Sequence, residues 1–191
     1  MKKTDLRTIL FLALCCDLGL FSKRMISPLT NIITDALHIP GGIGTSFSLM
    51  FLVIAAILVP NHSCGAIMGA VQCALAVSFG MVGSMGALSP VGYIVPGIVI
   101  DIVLKEAERA RLPKTDQMLL ANGLAAVSAS LTANLIVFRL KGPPLVLYLC
   151  VALLSGSFCG ILGAQIVKRL YPVIDIKYTK KRERQYEKEI V

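Results

Sequence analysis

The sequence predicts an all-α polytopic membrane protein with six transmembrane helices and both termini on the cytoplasmic side. Three observations lead there. Of 191 residues, 55% are hydrophobic and only 16% charged, whereas soluble domains run at roughly 45–50% and about 25%. Mean hydropathy is +0.76, and the chain has room for about six spans of ~20 residues each. Basic residues also alternate in abundance between successive connections, as the positive-inside rule requires.

Six apolar runs are bounded by charge or turn residues. The first, 6–22, follows the basic start MKKTD and imitates a secretory signal. Leu14 before Cys15 is not a lipoprotein site, and no small-x-small cleavage site follows, so the run is read as a span. The second, 44–59, stops at Pro60 and Asn61, and the third is 64–82. The fourth, 91–104, is short and interrupted by Gly92, Pro96 and Gly97; Pro90 suits its first turn, where a missing N–H costs nothing. The fifth is 117–138 and the sixth 144–170, followed by a charged tail. With the N-terminus inside, 15 of the 19 Lys and Arg residues are cytoplasmic, and only Lys23, Arg24, Arg139 and Lys141 lie outside.

The connection 23–43 carries Ile26, Leu29, Ile32, Ile33, Ala36 and Leu37 at helical spacing. Bracketed by Pro28 and Pro40, it is predicted to be an interfacial or re-entrant cap. Residues 105–116 form a charged cytoplasmic elbow. The chain divides into a membrane domain, 1–172, and a mixed-charge cytoplasmic tail, 173–191, read as a solvated helix or as disordered.

The net charge of +8 belongs to topology rather than to nucleic-acid binding. The six cysteines all fall inside apolar runs, without C-x-x-C pairs or histidines at ligand spacing, and read as small packing residues. No catalytic motif is present: no H-E-x-x-H, G-x-S-x-G, P-loop or dinucleotide fingerprint. The chain is therefore read as no enzyme, without a cofactor or metal of its own.

Polar residues inside spans are costly in hydrocarbon and carry the functional information. Asn122, Ser130 and Asn134 share a face of the fifth span; Tyr148 lies in the outer part of the sixth, and Ser89 and Tyr93 at the outer start of the fourth. Two readings stay open: contacts to a small molecule in an outward-facing cavity walled by Pro96, or interhelical bonds and interfacial anchors. Asp101 is read as a structural partner of Lys105, one turn away. Asp17 sits deeper and has Lys23 or Arg24 as its nearest candidate partners. Small residues at four-residue spacing, such as Gly65, Gly69 and Cys73 or Gly156 and Gly160, predict close helix packing.

Three features together resemble the substrate-binding S components of energy-coupling-factor (ECF) vitamin transporters. They are six spans in about 190 residues, the Gly/Pro-rich fourth segment from Gly92-Tyr93 through Pro96-Gly97 to Asp101, and the glycine-studded last span from Gly156 to Ala164 ahead of a basic tail. The resemblance implies capture of a vitamin or related micronutrient from outside, of the thiamine or thiamine-precursor, cobalamin or other tetrapyrrole, haem or folate class. It further implies ATP-driven uptake with a membrane scaffold (T) subunit and two cytoplasmic ATPases, in the cytoplasmic membrane of a prokaryote. The family's cavity is closed by the connection after the first helix, which here contains Asn31 and His38; Met85 near the outer face and His38 would suit a metal tetrapyrrole. An alanine-x-x-x-alanine docking pattern on the first helix is replaced by Ala13 and Asp17, leaving Ala13, Cys15 and Gly19 as the docking candidates. The outer cations Lys23, Arg24, Arg139 and Lys141 favour a carboxylate or phosphate on the ligand. Two other functions fit the same sequence: a self-sufficient ion- or proton-coupled carrier, and a structural subunit of a membrane complex.

Overall fold

A computed structural model describes residues 6–36, 43–59, 63–80, 86, 88–136, 139 and 141–189. The described residues form six helices and no strand: α1 (Leu6–Ala36), α2 (Ile43–Leu58), α3 (Cys64–Ser78), α4 (Ser89–Arg109), α5 (Lys114–Ile136) and α6 (Pro143–Glu189). Two segments, Lys114–Ile136 and Pro143–Leu170, are long and apolar enough to cross a membrane.

The fold is built around α2. Its 16 residues, IGTSFSLMFLVIAAIL, carry no charge, and a helix apolar on every side is stable only when covered on every side. It packs against all five other helices, with neighbouring contacts α1–α3, α3–α4, α4–α5 and α5–α6 around it. Met50, Leu52, Val53 and Ala55 of α2 are almost fully buried, together with Met68, Ile100 and Met118 from the surrounding helices. Outward positions are just as apolar: Phe21, Leu154 and Phe158 are among many large exposed side chains. Ser46, Ser48, Gln72 and Asn122, by contrast, are buried. An apolar surface around an apolar core with a few buried polar groups is compatible with lipid around the bundle.

Glycines set the helix spacing. On α3 and α4, a Cβ at Gly65 would lie 2.6 Å from the Gly97 carbonyl oxygen, one at Gly69 would lie 2.5 Å from the Tyr93 carbonyl oxygen, and one at Gly97 would strike the Gly65 carbonyl. On α5 and α6, Gly156 rests on Asn122 and Ala126, and Gly160 on the Met118 backbone. Side chains here would have to displace backbone, so the two pairs pack only because these positions are bare.

Three sequence expectations change. The cap at 23–43 is not a separate element through residue 36, because α1 continues across Pro28 to Ala36. Proline removes one intrahelical hydrogen bond, but membrane helices absorb it through neighbouring hydroxyls and helices. Thr30 Oγ1 donates back to the carbonyls of Ile26 (3.0 Å) and Ser27 (3.1 Å), as helical threonines commonly do, and Ser27 sits against Gly44 at the start of α2. The elbow at 105–116 is shorter than expected, since α4 runs to Arg109 and α5 begins at Lys114. The turn between them closes with Arg111 N–H donating to the Glu108 carbonyl (3.0 Å) and Leu112 N–H to the Ala107 carbonyl (3.1 Å). Those two bonds make a Schellman cap, and Arg111 takes its left-handed position at φ 54°. Finally, the boundary at 172/173 falls inside one continuous helix, α6, of 47 residues.

Candidate functional site

The polar groups inside the bundle lie on two sides of α2. Toward α5 and α6, Ser46 and Ser155 share a hydroxyl–hydroxyl bond of 2.9 Å. Asn122, with no exposed surface, donates its amide to the Gly156 carbonyl (2.7 Å) and the Ser46 carbonyl (3.3 Å). Its Oδ1 accepts nothing among the described residues. Because both donor contacts end on carbonyl oxygens, turning the amide over would face oxygen to oxygen, so the assignment is fixed. Toward α1 and α3, the Gln72 amide donates to the Cys16 carbonyl (3.3 Å). A Cβ at Gly19 would lie 2.5 Å from Gln72 Nε2 and 3.2 Å from the Ser48 carbonyl oxygen, so α1 is bare where the amide crosses it.

One turn along α1 from Gly19, Lys23 reaches into the bundle and places Nζ 5.0 Å from the centroid of the Tyr93 ring on α4. This cation–π contact joins two groups that the sequence placed separately at the outer rim. Among the described residues no carboxylate lies within ion-pair distance of Lys23, while Arg109 pairs with Glu106 at 2.7 Å on the surface. The Lys23 amine is thus partly covered by protein and held against the Tyr93 ring.

The remaining candidate residues take varied positions. Ser89 is buried at the start of α4 and donates to the Gly86 carbonyl (2.8 Å). Pro96 is fully buried in α4. Asn134 is buried and donates back along α5 to Ser130, 2.8 Å to its carbonyl and 3.1 Å to its hydroxyl. Tyr148 is half-buried on α6. The structure thus brings Tyr93 to Lys23 and Ser130 to Asn134. His38, Met85 and the Asn31 side chain lie outside the described residues. Of the docking candidates, Ala13 faces outward, while Cys15 and Gly19 face into the bundle.

Asp101 caps the start of α3, a role the sequence did not suggest. Its Oδ1 accepts the Gly65 N–H and its Oδ2 the Ala66 N–H, both at 2.8 Å. Helix α3 has no acidic residue in its first turn and no side-chain cap from Ser63, so α4 supplies the capping carboxylate from across the interface. Sequence reasoning also passed over Ser46, Ser48, Gln72 and Ser155. Gln72 gave a usable signal, as the one amide in an otherwise apolar third span; isolated serines in a hydrophobic run give none. Compared with known proteins, the chain matches no family model, no curated protein and no solved structure.

Proposed function

We propose that this protein is the substrate-binding membrane subunit of an energy-coupling-factor type transporter, capturing an acid-bearing micronutrient from the outer side of a prokaryotic cytoplasmic membrane. All six helices cross the bilayer in this reading, with both termini inside and release driven by a scaffold subunit and two ATPases. The observation that carries it is Lys23, a cation turned into the bundle against Tyr93 without a carboxylate partner among the described residues. The many large apolar side chains exposed around the bundle and the excess of basic residues on one side of the six-span topology support this reading. Among the ligand classes the sequence suggests, folates, haem and cobalamin-type tetrapyrroles carry the acidic or phosphate group that an ammonium recognises. A carrier using Asp17 and Asp101 is less well supported, because both oxygens of Asp101 are engaged by backbone N–H groups.

Calorimetric titration of the purified protein with those ligands tests this reading. The expected result is tight binding of one of them, weakened at least tenfold in Lys23→Met (~1.4 kcal/mol) with thermal stability retained. Absence of binding across the series, or binding indifferent to Lys23, would overturn it.

A further inference from the structure

We infer that one water molecule is bound inside the bundle where α2, α5 and α6 meet, held by the side-chain oxygen of Asn122 and the hydroxyl of Ser46. It is independent of the transport reading, because the polar groups of this junction are themselves short of hydrogens. Asn122 and Ser46 are both almost fully buried, so bulk solvent reaches neither. The two hydrogens of the Asn122 amide are spent on the carbonyls of Gly156 (2.7 Å) and Ser46 (3.3 Å). The hydroxyls of Ser46 and Ser155, 2.9 Å apart, share one hydrogen between them. Ser155 Oγ also lies 3.2 Å from the Ala152 carbonyl, which can only accept. Ser155 therefore donates to Ala152, and Ser46 donates to Ser155. Every donor of the group is then used, while Asn122 Oδ1 has no partner and the lone pairs of Ser46 Oγ receive no hydrogen.

No turn of these side chains supplies what is missing. Reversing the Asn122 amide would set its oxygen against two carbonyl oxygens, and no donor of the described residues lies within hydrogen-bond reach of Oδ1 as it stands. A buried acceptor left bare costs its full desolvation, and α5 and α6 are the two helices apolar enough to hold this junction within hydrocarbon, where ordered waters take the place of bulk solvent. The bound molecule has to give hydrogens to oxygens on two helices. It also has to add no carbon skeleton to an interface where a Cβ at Gly156 would already lie 2.8 Å from the Ala126 Cβ. Water meets both demands, and buried waters commonly join about three polar groups. It would link the Ser46 and Asn122 side chains, which share no direct bond, and so tie α2 to α5.

Crystals of the full-length protein grown from a lipid mesophase, at a resolution that shows ordered solvent, test this. One solvent peak is expected within hydrogen-bond distance of both Asn122 Oδ1 and Ser46 Oγ. Empty density there, with ordered waters visible elsewhere, would overturn the inference. So would an Asn122 oxygen that meets a donor of the protein, or a peak with the short contacts of a metal cation. In mixed micelles, reversible unfolding reads the same bridge as a coupling. Ser46→Ala loses the bond to Ser155 in any background, but it loses the water only where Asn122 is present. It is expected to shift the unfolding constant about fivefold more in the wild-type chain than in Asn122→Leu, the size of one net hydrogen bond. Equal shifts in the two backgrounds would count against the bridge, and if Asn122→Leu does not fold, the crystal of the wild-type chain decides alone.

Discussion

Replacing Asp101 separates a structural acid from a transporting one. In Asp101→Ala, the N–H groups of Gly65 and Ala66 lose acceptors at 2.8 Å. A side-chain helix cap contributes about 1 kcal/mol, and a negative charge at a helix N-terminus in a partly buried setting adds up to ~2 kcal/mol. The Ala variant is therefore expected to lose about 2–3 kcal/mol, and Asp101→Asn about 1–2 kcal/mol, since the amide keeps one acceptor and turns its donor toward an N–H. Reversible unfolding in mixed micelles, followed by helical circular dichroism, reads the difference. In the proposed function, ligand affinity at Lys23 should be unchanged in whatever fraction folds, because Asp101 lies eight residues further along α4 than Tyr93, about 12 Å. If Asp101→Asn kept full stability but abolished uptake, the capping role would be refuted and the carrier reading restored.

Gly97→Ala should destabilise the protein by about 1–3 kcal/mol, because the new methyl meets the Gly65 backbone rather than a side chain that can move; unchanged unfolding in the same micelles would show that α3 and α4 separate freely. Arg111→Gly should stabilise by about 0.5–1 kcal/mol, since a left-handed non-glycine residue costs about 1–2 kcal/mol and glycine returns part of that as chain entropy; a lower midpoint would mean that the Arg111 side chain outweighs its backbone strain.

How much of this was legible in sequence depended on how local each cause was. The central burial of α2 follows from its uncharged composition, and the α3–α4 and α5–α6 packing follows from the spacing of Gly65, Gly69, Gly156 and Gly160. The end of α1 is not legible, because Pro28 is a helix breaker by local rules, yet α1 runs through it to Ala36. Tyr93 and Lys23 were each visible as polar residues near an outer rim. Their contact spans 70 residues of chain, and no periodicity encodes it. Asp101 was recognised as structural from its position, but its partners lie 35 and 36 residues upstream, beyond the reach of an i,i+4 argument. The Gln72–Cys16 bond escaped notice for the same reason.

The helices differ greatly in length. At 16 and 15 residues, α2 and α3 are about 24 and 22 Å long, whereas the 31 residues of α1 reach about 46 Å. In the six-span reading proposed above, no single bilayer would match all three. A thick membrane would have to thin around α2 and α3, and a thin one would have to let α1 lean or protrude, each at fractions of a kcal/mol per Å. Acyl-chain length would then become a physical setting for this molecule, one that changes the tilt of the Lys23-bearing helix without altering a residue.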